Sequence, residues 1–324
     1  MTKRLFDTAH ILIYDPVATN GNMSRGCLLN LGYRNIELVL TLAALENRLR
    51  LSSPDLVLCE VAAAEEEICR LIQSVRQGIV GESPFPVVIV TTWRRDSPTV
   101  GQVLKSGADD LVARPMSASI LDARIKAQIE RRKLFVITSN YIGPDRRSDP
   151  SRSGPECIAV PNPLQLKARE GLSNDENERY MARAIVKGKK MLNLEKMRRD
   201  AVQLCVHWRN LEPCGAATPD FFEILTRMAR LSEEIKRRAD ATEYAAACDE
   251  CDLIIESVAA ISHLANREEA DRSGSDVDFE SSLRIVGRAA LAVGQMFVLD
   301  GSTPLLPKAR PRAAQSLSEI LASA

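Results

Sequence analysis

Residues 54–60, Pro54-Asp55-Leu56-Val57-Leu58-Cys59-Glu60, constrain the fold of the first part of this chain more than any other stretch. Leu56, Val57 and Leu58 leave no polar face, so a strand here is covered on both sides, as the central strands of parallel sheets are. Pro54 bounds the run in front and an acid, Glu60, closes it. In an open α/β sheet, ligands bind outside the C-terminal ends of the strands, which makes Glu60 the first residue to ask about.

Four further runs repeat the pattern. Ile11-Leu12-Ile13-Tyr14-Asp15 is apolar and ends in an acid, residues 36–40 form a second strand, and Pro86-Val87-Val88-Ile89-Val90-Thr91 is almost wholly apolar. Residues 111–113 are a short fifth strand, followed by Arg114-Pro115. Between them the apolar residues fall at helical spacing: Cys27, Leu28 and Leu31 before Gly32, then 42–51, then Ile68, Leu71, Ile72 and Val75, then Val100, Val103 and Leu104 before Gly107, and last 120–129. Strands alternating with helices predict an α/β domain with a doubly wound, five-stranded parallel sheet. Right-handed crossovers bring Asp15, Glu60, Thr91 and Arg114 to one edge.

These runs resemble the receiver domain of bacterial response regulators, over roughly residues 8 to 133. Residues 54–60 are similar to its third strand, Pro-Asp-Leu-(Ile/Val)-Leu-x-Asp, whose final Asp accepts a phosphoryl group from a histidine kinase; here that position is Glu60. Asp15 matches one of the two acids that hold Mg²⁺ in the family, and Pro16 takes the place of the other. Thr91 matches the hydroxyl that contacts the phosphoryl group. Residues 107–115, Gly-Ala-Asp-Asp-Leu-Val-Ala-Arg-Pro, resemble the Gly-Ala-x-x-(Tyr/Phe)-(Leu/Val)-x-Lys-Pro signature, with Arg114 for the Lys and Leu111 for the switching aromatic.

Phosphoryl transfer to a carboxylate needs an in-line nucleophile and a divalent cation. Pro16 cannot ligate a metal, and Glu60 is longer than Asp by a methylene, enough to misplace a reacting group. Arg114 is placed to clamp the Glu60 carboxylate in a bidentate ion pair. The resemblance therefore implies a degenerate pseudo-receiver with no cofactor, Mg²⁺ binding weak or absent, and no enzymatic activity. Two readings of the site stay open: a fixed, active-like conformation, or an internal salt-bridge network.

Residues 1–135 form the expected receiver-like domain, and 136–174 read as a linker in which periodicity stops. Within the linker, Tyr141-Ile142-Gly143-Pro144-Asp145-Arg146-Arg147 resembles short segments that follow receiver domains in some proteobacterial regulators. Tyr141, Arg146 and Arg147 make it a candidate docking or anion segment, with Arg152 nearby; a solvated linker with an ordered turn is the plainer reading. Residues 175–300 read as a helical bundle. Its first long helix carries Met191, Leu194, Ala201, Val202, Cys205 and Trp208 and ends near Pro213; Pro219 opens the next, with Phe222, Leu225, Ala229 and Ile235. Tyr244, Cys248, Cys251, Ile255 and Val258 mark a third helix, and Leu283, Val286, Ala290, Val293 and Phe297 a fourth. Residues 301–324 are a Pro-rich tail with a short helix or a frayed end over 313–324.

Cys248 and Cys251 have zinc-like spacing but no second pair, and read as core. His263 lacks the surroundings of a phosphoryl-accepting histidine, and His207 beside Trp208 reads as packing. Lys+Arg and Asp+Glu both number 43, so no global charge favours nucleic acid or a membrane surface. No apolar run reaches the roughly 20 residues of a spanning helix, and a cytoplasmic chain with reduced thiols is expected. The expected function is two-component signalling through protein–protein recognition. A histidine kinase, another regulator or a chemotaxis-type protein would be the partner, and a homodimer is possible. The competing reading is a conventional phosphorelay regulator, or a phosphotransfer or phosphatase module whose bundle acts on another receiver.

Overall fold

A computed structural model describes residues 3–61, 64–94, 96–147, 157–168, 174–211, 219–265 and 275–298. Arg152, Pro213 and the tail lie outside the described residues. The chain divides into two compact units, residues 1–192 and 193–324.

The first unit is built on a parallel sheet of β1 (Ile11–Tyr14), β2 (Ile36–Val39), β3 (Leu56–Glu60), β4 (Val87–Thr92) and β5 (Asp110–Ala113), in the order β2-β1-β3-β4-β5. Every residue of β3 and β4 is buried, as their unbroken apolar runs require. Alternate side chains go to opposite faces. Leu12, Val57 and Val88 pack with Leu45 of α3 (Leu42–Leu51), with Ile68 and Ile72 of α4 (Glu65–Arg76), and with Val103 of α5 (Ser97–Lys105). Ile11, Leu56 and Val87 pack with Leu28 of α2 (Ala18–Asn30) and with Leu121 and Ile125 of α6 (Ala118–Arg131). Leu5 of a short first helix, α1 (Lys3–Thr8), and Leu164 of α7 (Pro163–Ala168) extend that second face.

Helix α2 begins at Ala18, nine residues before Cys27, the first of the apolar positions that marked it. Its first turns carry no apolar stripe, and its buried residues are Gly21, Ser24 and Leu28. Thr41, Asp96 and Ser117 cap α3, α5 and α6 by accepting from the backbone N–H of Ala44, Thr99 and Ile120.

Among its described residues, the stretch read as a linker overlaps β6 (Phe135–Ile137) and holds β7 (Ile142–Pro144) and β8 (Cys157–Ile158), paired antiparallel in the order β7-β6-β8, and then α7. Phe135, Ile137 and Ile142 bury against Phe85 and Leu192. Strands of two or three residues are too short to show a period of two, so only tertiary packing makes them visible.

Helix α8 (Asn174–Leu211) carries the division between the units. In the second unit its later turns share one apolar core with α9 (Pro219–Ala239), α10 (Ala246–Ala265) and α11 (Ser275–Val298). Leu225, Ile235, Cys251, Val258, Val286, Ala290, Val293 and Phe297 are buried as the spacing indicates. On α8 the seam is rotated from the expected one: Met191 is exposed, and Met197 and Leu204 are buried. Gly287 faces the indole of Trp208, and Gly294 faces Cys205 Sγ; a Cβ at either would stand 2.2 Å and 2.5 Å from those atoms. No helix among the described residues is long and apolar enough to cross a membrane.

Candidate functional site

Glu60 ends β3 and stands in register with Thr91 of β4. The Arg114 N–H donates to Thr92 O at 2.8 Å, which aims the first residue after β5 across the same edge. Asp15 follows β1, and its N–H donates to Val39 O at 3.2 Å. Four strands therefore present Asp15, Glu60, Thr91 and Arg114 together, as the crossovers require.

All four are buried. Arg114 Nε lies 3.0 Å from Glu60 Oε2 and donates to Thr91 Oγ1 at 3.1 Å. Thr91 Oγ1 in turn donates to Glu60 Oε2 at 2.9 Å. Arg114 Nη2 lies 2.9 Å from Asp15 Oδ2, an ion-pair distance at an angle that makes no hydrogen bond. Where the sequence suggested a clamp on Glu60, the guanidinium spans both carboxylates. Asp15 Oδ1 accepts from Val17 N at 2.9 Å, just ahead of α2, where the helix's partial positive charge favours an anion.

Sequence reasoning missed Ser24. Arg114 Nη2 donates to Ser24 Oγ at 3.2 Å, and Ser24 Oγ donates to Asn20 O at 3.1 Å. A polar, buried turn in α2, where an apolar stripe belongs, was the available signal.

Tyr141, Arg146 and Arg147 do not join this site. They lie at the opposite edge, by the N-terminal ends of the strands. Tyr141 OH donates to Pro144 O at 2.9 Å, Arg146 Nη2 donates to Ala108 O, and Arg147 pairs with Asp145 at 3.0 Å and reaches Cys157 Sγ at 2.8 Å. Arg147 holds the Asp145 carboxyl well below its usual range. Gly143 packs onto Gly107, whose φ of +92° and 2.5 Å approach of a would-be Cβ to Ile142 O exclude any larger residue.

Beneath that segment lies an ionic cluster that sequence reasoning also missed. Asp109 accepts from Val88 N at 2.8 Å, from Arg76 Nη2 at 2.8 Å and from Arg132 Nε at 2.8 Å. Arg76 also donates to the carbonyls of Gly107, Pro84 and Pro86, and Arg132 to those of Phe85, Pro86 and Pro161. Both guanidiniums stack on Phe135, 5.2 Å and 5.1 Å from its centroid. Burial lowers the Arg76 pKa to about 10; burial alone would raise Asp109, but Arg132 and Arg76 outweigh it and hold the carboxyl below its ordinary value. Close by, Asp55 accepts from Lys167 Nζ at 2.6 Å and from His10 N at 2.7 Å.

In the second unit, Cys251 is fully buried, its thiol pushed up to about 12 by burial. Cys248 is half-buried beside it, and no cluster of three or more His, Cys, Asp or Glu side chains able to hold a metal occurs among the described residues. His263 is exposed on α10. His207 is half-buried, 3.3 Å from Gln203, with its pKa lowered by burial and by Arg227. Lys196 and Asp200 form a buried pair next to Arg238 and Glu234, and Arg238 donates to both Glu234 and Asn193.

No family model matches the chain. It is 36% identical over 86 residues to the transcriptional regulatory protein AfsQ1 of Streptomyces coelicolor, spanning 26% of this chain and about a third (35%) of that relative's length. Among solved structures it is similar to a response regulator signal receiver domain from Bermanella marisrubri (20% identical, 37% of this chain and 98% of that one, TM-score 0.33). It is also similar to the response regulator DrrB of Thermotoga maritima (21% identical, 72% and 93%, TM-score 0.33). The first unit has a receiver fold. The helical region after it is unassigned.

Proposed function

We propose that this chain is a two-component signalling protein whose receiver-like domain holds a degenerate phosphoacceptor site and acts through protein–protein recognition. One observation carries the reading: the Arg114 guanidinium stands 3.0 Å from Glu60 and 2.9 Å from Asp15, supplying the positive charge between the carboxylates. The residues do not fit Mg²⁺. Pro16 follows Asp15 where a second acid would be needed, and a fixed cation already faces both acids. Glu60 also accepts from Thr91, so it makes the bond to the hydroxyl that a phosphoryl oxygen makes in the family it resembles.

On this reading the domain is non-enzymatic, cytoplasmic and held in one conformation without phosphate. Its partners are other signalling proteins, met through α5, β5 and α6. Amide hydrogen exchange tests it: Mg²⁺ with beryllofluoride, a mimic of the phosphoryl group, should leave protection of α5 and β5 unchanged. Protection gained around Asp15, Thr91 and α5 on adding the pair would overturn it.

A further inference from the structure

The first four turns of α8 are amphipathic in an unusual sense. Met181, Ile185, Gly188 and Leu192 turn inwards, with Gly188 so close to Pro161 and Phe85 that a Cβ would stand 2.8 Å and 2.9 Å from them. The opposite face carries Arg179, Arg183, Lys187 and Lys190, all exposed, and none forms an ion pair among the described residues. Their spacing of four, four and three places them within an arc of roughly 80° at 100° per residue. Asp175 and Glu176 in the first turn bound the stripe on its N-terminal side.

Apolar side chains flank the charges. Val186 is 56% exposed on one side of the stripe, and Tyr180 46% and Met191 37% on the other. A helix that needed only solubility would place acids four residues from all of these bases, where only Arg179 has one, Asp175, and would keep valine and methionine out of water.

We propose that residues 179–191 of α8 form a docking face for an acidic protein segment whose apolar side chains meet Val186 and Met191. A nucleic-acid backbone would use the bases but give the two aliphatic side chains nothing to bury against. A lipid surface calls for a broad apolar face of large side chains below the bases, and here that face is already packed inside the unit. An acidic, partly apolar polypeptide uses both sets: charge steers the encounter and the aliphatic contacts hold it.

The test uses the full chain and three fluorescent or labelled probes: an amphipathic Glu/Leu peptide, a duplex DNA and phosphatidylglycerol vesicles. The peptide should bind with salt-dependent affinity, weakened at least about tenfold by Arg183→Glu/Lys187→Glu and about threefold by Val186→Ser/Met191→Ser. These side chains are exposed, so circular dichroism and the melting temperature should not change. If the reversal variant fails to fold, Arg179→Gln/Lys190→Gln takes its place with the same expected direction. Peptide affinity indifferent to the charge variants, or indifferent to the serine pair, overturns the proposal. So does tighter charge-dependent binding of the DNA or the vesicles.

Discussion

The two edges of the parallel sheet solve opposite charge problems. At the C-terminal edge one guanidinium, Arg114, serves two carboxylates, Asp15 and Glu60. At the N-terminal edge two guanidiniums, Arg76 and Arg132, serve one carboxylate, Asp109, and turn their remaining donors to backbone carbonyls. On the proposed reading, Arg114 closes the edge that a receiver-like fold keeps open for chemistry. The second edge is closed by β6–β8 and Phe135, and that closure is structural. The lesson is that a buried ionic cluster does not mark a functional site by itself. What separates the two is whether the charges replace something a mechanism needs.

The largest effect should come from Asp109→Ala. It leaves two buried guanidiniums without their counter-charge, at a cost of about 3–5 kcal/mol or more, read from urea unfolding. A loss near zero would make the cluster ornamental. Because its carboxyl is held below its ordinary value, Asp109 contributes stability above pH 3.8 that is lost as pH falls through its folded pKa. Asp109→Asn should flatten that acid limb.

Arg114→Ala should rank next, at about 3 kcal/mol, since two buried carboxylates then face each other without the guanidinium. If it cost far less than Asp109→Ala while partner binding stayed intact, the first edge would be no more than a salt-bridge network.

Asp200 of the bundle should behave in the reverse sense from Asp109. Burial raises it from 3.8 to about 6, against the pull of Lys196. The unfolded chain therefore binds fewer protons near pH 5, and the contribution present below pH 3.8 is lost as pH rises through about 6. Asp200→Asn should remove that decline, as measured by melting temperature across pH 4 to 7. A steeper decline in the variant would contradict it.

The smallest effect on stability should be that of Glu60→Gln, which keeps size and hydrogen bonding and leaves Asp15 on Arg114. The melting temperature should move by a few degrees at most. Partner affinity should fall by roughly tenfold, about 1.4 kcal/mol of coupling.

The sheet was legible because β3 and β4 are buried on both faces, and the strands ahead of their polar ends then read as apolar runs. Asp15, Glu60, Thr91 and Arg114 were legible because strand ends collect on one edge. Ser24 was not, since its α2 turn buries small and polar residues and has no stripe to read. Arg76 and Arg132 were not either: at helix ends, arginines ordinarily face water. Pro84-Phe85-Pro86 held the missing hint. These residues precede β4, and their carbonyls accept from the two arginines.

The central claim is that Arg114 and Glu60 stand where a metal and a phosphoryl group would otherwise act. Intact-mass spectrometry of the purified full chain after incubation with acetyl phosphate and Mg²⁺ tests it most directly. The account predicts no phosphoryl adduct on the wild-type chain. A stoichiometric adduct that disappears in Glu60→Gln would contradict it.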